Sequence, residues 1–307
     1  MLTWSTADFY GATSLIGSKG KGLSSFPAVS WTHGCIFGLE PEWPVILSKH
    51  ELIFKRHLVT NVQQQDILSC LNKDVRAVGL PFGYAHRKFY QNVPRTIKRL
   101  YMPSHSISGQ SLYSDGELLA SRALKEGCSD ILLNQTDFRR LSMGGGNDTY
   151  QLNKKVRVIK GADITDSRCL ERMVKFFQSV SMVITDSIGS HLYYATLCGC
   201  DVRIIELHRP PFASIEKTLS KMTSPWKEAY ARHYREYAEG DKYIRQASCF
   251  MGGALGDRLD QTRQMMGIDC LLSDDQILKA TQPASTISNI KVSAYLAMRK
   301  ARIIRDY

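Results

Sequence analysis

The residues best suited to chemistry stand together between Ser181 and Leu207, SMVITDSIGSHLYYATLCGCDVRIIEL. Thr185, Asp186, Ser187, Gly189, Ser190 and His191 there offer hydroxyls, an acid, a glycine and an imidazole in one short turn. Met182, Val183 and Ile184 before it read as a strand, and His191 to Leu197 after it as a short helix closed by Gly199. Val202, Arg203, Ile204 and Ile205 read as the next strand, buried on both faces except for the arginine. A helix that begins directly after such a turn aims unpaired backbone N–H groups and the positive end of its dipole at whatever lies in front. An anionic phosphate is the natural occupant.

Other candidates lie at the ends of other apolar runs. Ser104, His105 and Ser106, in MPSHS, follow the run Arg99–Met102, and Lys160 and Asp163 follow Val156–Ile159. In open α/β sheets ligands gather beyond the carboxyl ends of strands, so these are donor- or phosphate-binding candidates together with Asp186, Ser187, Gly189, Ser190 and His191. Earlier in the chain His33 follows a strand in WTHGCIF, placed to act as a general base if its pKa stays near neutral. Glu42 in LEPEWP competes for that role, as do Glu40 and Asp66. The triple glycine 144–146 lacks the Gly-Lys-Ser/Thr sequel of a phosphate loop and reads as a surface loop. No His/Cys cluster has metal-ligand spacing, and Asp163 with Asp166 is a weak cation candidate, so no metal and no cofactor is expected.

These residues need elements to hold them. The first 25 residues, rich in Ser, Gly and Thr, read as a loose segment. A first α/β pass has strands at Ala28–Trp31, Pro44–Leu47, His57–Thr60 and Val75–Val78, with a helix over Gln63–Leu71. The polar, basic, aromatic stretch of residues 81–99 reads as a linker. A second pass has strands at Arg99–Met102, Asp130–Leu133, Val156–Ile159, Met182–Ile184 and Val202–Ile205. Its helices lie over Gly116–Glu126, Asp137–Leu141, Ser167–Ser179 and Ser190–Cys198. Alternation of strand and helix predicts parallel sheets in two Rossmann-like domains, residues 1–94 and 95–280. A charged aromatic helix spans Pro225–Arg245, and residues 281–307 form a C-terminal helix with Lys and Arg on its polar face.

With 307 residues, 43% hydrophobic and 22% charged, the chain is a globular protein with a sizeable core, not a disordered one. No apolar run is long enough to span a bilayer and the start lacks a signal-peptide pattern, which predicts a cytoplasmic protein. The eight cysteines, scattered, read as reduced and mostly buried thiols. A formal charge of +11 calls for anionic partners: a phosphorylated metabolite, acidic lipid or nucleic acid. Stretches such as YAHRKFYQ and YARHYREY are the case for nucleic acid. Against it, the basic residues are spread evenly and no nucleic-acid motif occurs.

MPSHS (Met102–Ser106), TDSIGSHLYYATLCGCDV (Thr185–Val202) and GLPFGYA (Gly79–Ala85) resemble motifs of bacterial GT-B-fold glycosyltransferases of capsule and lipopolysaccharide assembly, distantly like sialyl- and Kdo-transferases. The resemblance covers residues 28–207 in pattern. It implies a two-domain glycosyltransferase in which a His turn and a Ser-rich turn hold the nucleotide and phosphate of a nucleotide-sugar donor. It implies also a glycan or lipid-linked acceptor; the basic surface suits peripheral contact with the acidic inner face of the cell membrane, and the first half, short in clear α/β pattern, would need a partner subunit, such as a second copy, to complete its cleft. The His turn here reads Ser-His-Ser where the sialyltransferases have His-Pro, and no Asp-Asp-Gly or Asp-Glu-Gly signature occurs. Donor, base and stereochemical course stay open, and a nucleotide-sugar epimerase of the same plan, a catalytically inactive relative and a basic nucleic-acid-binding protein remain as alternatives.

Overall fold

A computed structural model describes residues 6–16, 29–36, 42–47, 51–104, 116–142, 148–205, 222–239 and 250–281, with a few isolated positions near 216–220 and 247–248. His105, Ser106, the triple glycine and the segment 282–307 lie outside the described residues.

Near the start, a turn of 3-10 helix at Thr6–Gly11 leads into α1 (Ala12–Ile16). These residues are packed, not loose: Ala12, Leu15 and Ile16 are buried, and the Tyr10 amide donates to the Ile164 carbonyl at 3.3 Å. The correction has a simple cause, since the apolar residues are few but all fall on one side of a single helical turn. Three parallel strands follow, β1 (Val29–Trp31), β2 (Arg56–Val59) and β3 (Asp74–Ala77), in the order β1-β2-β3.

Two expectations for this half are overturned. Pro44–Leu47 is not a strand but part of α2 (Trp43–Ile46), because a proline cannot donate to a ladder and its fixed φ suits a first helical turn. Between β2 and β3 lies α3 (Val62–Ser69), capped by the Asn61 side chain. The expected linker is the second correction: its first half is α4 (Pro81–Phe89), which starts on Pro81 and buries Pro81 through Ala85. Its basic character belongs to the last turn, where His86, Arg87 and Lys88 oppose the negative end of the helix dipole.

The second sheet holds β4 (Ile97–Met102), α5 (Gly116–Lys125), β5 (Asp130–Leu133), α6 (Gln135–Leu141), β6 (Thr149–Asn153), β7 (Val156–Lys160), α7 (Cys169–Phe177), β8 (Val180–Thr185), α8 (Ser190–Leu197) and β9 (Asp201–Ile204). Its order is β6-β7-β5-β4-β8-β9, with every neighbouring pair parallel except β6 and β7. The parallel strands therefore run 3-2-1-4-5 in chain order, the Rossmann arrangement, and the order reverses between β4 and β8. Strand β6 was not expected, since its alternation is short, with only Tyr150 and Leu152 turned to the core among polar residues. It is turned back onto β7 by Asn153, whose side chain accepts from the amides of Lys155 and Val156. Strand β9 is the last strand of the sheet among the described residues and is not buried on both faces: Asp201 and Arg203 are exposed, and only Val202 is fully covered.

After the sheet, α9 (Trp226–Glu239) packs Trp226 edge-on against Trp43, with ring centroids 5.4 Å apart. Then α10 (Leu255–Met266) and α11 (Asp274–Thr281) return across both sheets. The α10 helix packs on α8, and its closing Gly267, at φ +62°, lies so close to the Thr60 carbonyl that no Cβ fits. One hydrophobic core joins β1, β2, α4, α7 and α8, and a second lies between the other face of the large sheet and α5 and α6. The class is α/β with parallel sheets and a helical return, as expected. Seven of the cysteines are described as free thiols, four of them buried. Among the described residues no helix is long and apolar enough to cross a membrane.

Candidate functional site

The reversal between β4 and β8 is where the sheet opens a crevice at its carboxyl end. Asp186, the first residue past β8, closes the bottom of it. Its carboxylate is buried and accepts from the Ser104 amide at 2.6 Å, the Ser104 hydroxyl at 3.1 Å and the Tyr101 hydroxyl at 3.0 Å, with the Arg122 guanidinium at 3.9 Å. Two of the expected residues, Ser104 and Asp186, are thus brought together, and together they tie the end of β4 to the end of β8. Burial and the neighbouring Asp186 carboxylate push the Tyr101 hydroxyl above its ordinary range.

Above this brace stands the turn itself. The Ser187 amide donates to the Thr185 hydroxyl at 3.2 Å, and Thr185 meets Nε2 of His191 at 3.0 Å. Gly189 is the N-cap of α8 in an extended conformation, and no side chain caps the helix there. It is glycine for want of room, since an added Cβ would stand 2.7 Å from Nδ1 of His191. The imidazole therefore lies folded back over the start of the helix. Ser187, Gly189, Ser190 and His191 surround the N-terminus of α8, whose first-turn amides have no side-chain cap.

The opposite wall comes from the first sheet. The loop after β1 crosses to α8: the Cys35 amide donates to the Ser190 hydroxyl at 2.9 Å, and the Tyr194 hydroxyl donates to the His33 carbonyl at 3.0 Å. Phe82 of α4 stacks flat on Tyr194 with centroids 4.0 Å apart, worth about 1 kcal/mol beyond its buried area. The His33 ring meets Phe9 edge-on at 4.9 Å and Tyr10 at 5.7 Å. Burial lowers its pKa to about 4, against a smaller opposite effect from a hydrogen bond to the Trp31 backbone. The near-neutral titration expected for His33 is therefore not found, because the N-terminal aromatics cover the ring. The same burial pushes the Cys35 thiol up to about 12, which keeps it protonated and unreactive.

The remaining expected residues lie apart. Lys160, at the end of β7, is held by Asp148 at 2.6 Å and Asp163 at 3.6 Å. Glu42 pairs with Arg232 of α9 at 2.7 Å. Sequence reasoning missed Tyr101, Tyr194 and Arg122, and also Phe9 and Tyr10 over His33. Tyr101 stands one residue before the end of β4, a strand read correctly, so its place near the strand end was the available signal.

No protein-family model matches the chain, and no curated protein matches its sequence. Among solved structures, a protein from Listeria monocytogenes assigned as a UDP-N-acetylglucosamine 2-epimerase is similar over 88% of this chain and 78% of its own, with 11% identity and a TM-score of 0.36.

Proposed function

We propose that the chain is a GT-B-like glycosyltransferase, moving a sugar from a nucleotide-sugar donor to a glycan or lipid-linked acceptor. The observation that carries this reading is the N-terminus of α8. It has no side-chain cap, is ringed by Ser187, Ser190 and His191, stands at the reversal of strand order, and faces a loop from the other sheet. The donor diphosphate sits there, and backbone amides with the Ser187 hydroxyl receive the charge that grows as the bond from the anomeric carbon to phosphate breaks. No metal or other cofactor is part of the reading. His33, on the facing loop, takes the proton of the attacking acceptor hydroxyl. Its imidazole is unprotonated at neutral pH, and the diphosphate dianion raises its basicity toward the useful range. Glu42, tied to Arg232, is the less suited of the two candidate bases. The surplus of +11 charges draws the enzyme to the acidic inner face of the cell membrane, where lipid-linked acceptors reside.

The test is a thermal-shift panel with CMP, CDP, UDP, GDP and ADP, followed by turnover of the matching nucleotide sugars with and without acceptor glycans. One nucleotide at about 100 times its Kd raises stability by about 2.7 kcal/mol, or about 2–4 °C in Tm. Sugar then leaves the donor only when an acceptor is present. A flat panel overturns the reading, and conversion of a nucleotide sugar without acceptor replaces it with an epimerase.

A further inference from the structure

The large sheet has a second recess, on the face opposite α8. Residues alternate along β4 and β8, so Leu100 and Val183 belong to the core with α7 and α8 while Tyr101 and Ile184 belong to the core with α5 and α6. Beyond Tyr101 on that second face a cavity of about 360 Å³ opens between α5 and β9. Its floor is Tyr101 with the buried Asp186, and Ile205 forms an apolar wall.

Three cations line it: Arg122 and Lys125 from α5 and Arg203 from β9. Arg122 stands 3.9 Å from Asp186 and Arg203 3.8 Å from Glu126, both beyond hydrogen-bond reach. Asp186 is meanwhile satisfied by Tyr101 and Ser104. Among the described residues Lys125 has no ion-pair partner. The Arg122 and Arg203 side chains keep 47% and 56% of their surface, and part of the Arg122 guanidinium is engaged with the Tyr101 hydroxyl. A planar carboxylate would use one guanidinium edge, whereas a tetrahedral oxyanion takes donors from several directions at once. The volume is far larger than one such anion, and Ile205 supplies the apolar surface left over.

We propose that this recess binds a phosphomonoester carrying a small organic group, its phosphate among Arg122, Lys125 and Arg203 and its organic part against Ile205. Glu126 is the one acid lining the recess whose carboxylate no hydrogen bond occupies, so it opposes the ligand and limits its affinity. The recess shares the Asp186 brace with the α8 crevice, lies on the other face of the sheet and does not depend on the activity proposed there.

The test is calorimetric titration of the full chain with glycerol phosphate and with inorganic phosphate, at ionic strength held constant with chloride. Glycerol phosphate binds saturably and more tightly than inorganic phosphate. Lys125→Gln and Arg203→Gln, at exposed side chains, each weaken it at least about fivefold, and Glu126→Gln tightens it severalfold. Ser187→Ala leaves it unchanged. The proposal is overturned by the absence of saturable binding, by binding that ignores Lys125→Gln and Arg203→Gln, or by loss of binding in Ser187→Ala, which would put the anion at α8. Equal affinity for the two anions overturns the ester.

Discussion

The turns after β7 and after β8 stand at the same end of one sheet and are built from the same kinds of residue, yet they do opposite things with their polar groups. After β7 the acids and cations consume one another. Lys160 meets Asp148 and Asp163, Asp163 accepts from both the amide and the hydroxyl of Thr165, and Arg172 spans Asp166 and the carbonyls of Lys160 and Gly161. After β8 the one acid is turned downward into the brace with Ser104 and Tyr101, Thr185 and His191 pair with each other, Ser190 accepts from the Cys35 amide, and the uncapped N-terminus of α8 is what remains. A place at the carboxyl end of a strand is therefore not enough to make a ligand site. What decides is whether the turn has already used its own donors.

The largest expected effect comes from breaking the brace that frees the β8 turn. Asp186→Ala strands the Tyr101 hydroxyl, the Ser104 amide and the Arg122 charge, and costs about 3 kcal/mol in urea unfolding. A loss under about 1 kcal/mol would show that the brace does not organise the turn.

Acid probes the facing wall. His57 is buried on β2 with Nδ1 at 2.6 Å from the Ser30 hydroxyl, and burial lowers its pKa to about 4, as it does for His33. The unfolded chain takes up these protons near pH 6.5 and the folded chain only near 4, so stability is full above 6.5 and falls as pH drops through that window. At pH 5 the loss for His57 alone is about 2 kcal/mol. His57→Gln should flatten part of the Tm profile between pH 7 and 5, and a wild-type profile already flat there would remove the burial argument.

Smaller effects separate the two turns directly. Ser187→Ala should weaken the nucleotide that scores in the panel about tenfold while moving Tm little, since that hydroxyl's contacts are long, with Thr185 at 3.4 Å. Lys160→Ala, at the spent turn, should change nucleotide affinity less than about twofold and lower stability by at most about 1 kcal/mol. The reverse ranking of these two variants would invert the comparison.

Much of the frame was legible because it is written locally. The apolar run Met182–Ile184, the Ser and Gly turn and the glycine after α8 each lie within a few residues of what they specify. Local reading failed where one residue carried two meanings. The apolar Pro44–Leu47 resembled a strand until proline's missing donor is counted, and residues 81–99 resembled a linker because three basic residues at the end of α4 outweigh the buried apolar start. At the site, residue types and the β8 turn were visible. The selection among strand ends was not, for it rests on partners far away in the chain: Ser104 is 82 residues from Asp186, Cys35 is 155 from Ser190, and His33 is 161 from Tyr194. No spacing rule encodes such pairs.

The hydrogen bond from the Cys35 amide to the Ser190 hydroxyl has a consequence for how this protein signals its own state. The same side chain that borders the α8 crevice shelters a single amide proton on the loop after β1, so the deuterium uptake of that one proton is governed by where the Ser190 hydroxyl stands. A movement of Ser190 that breaks this bond releases the Cys35 amide to exchange with solvent. That one proton thereby reports on the joint between the two sheets.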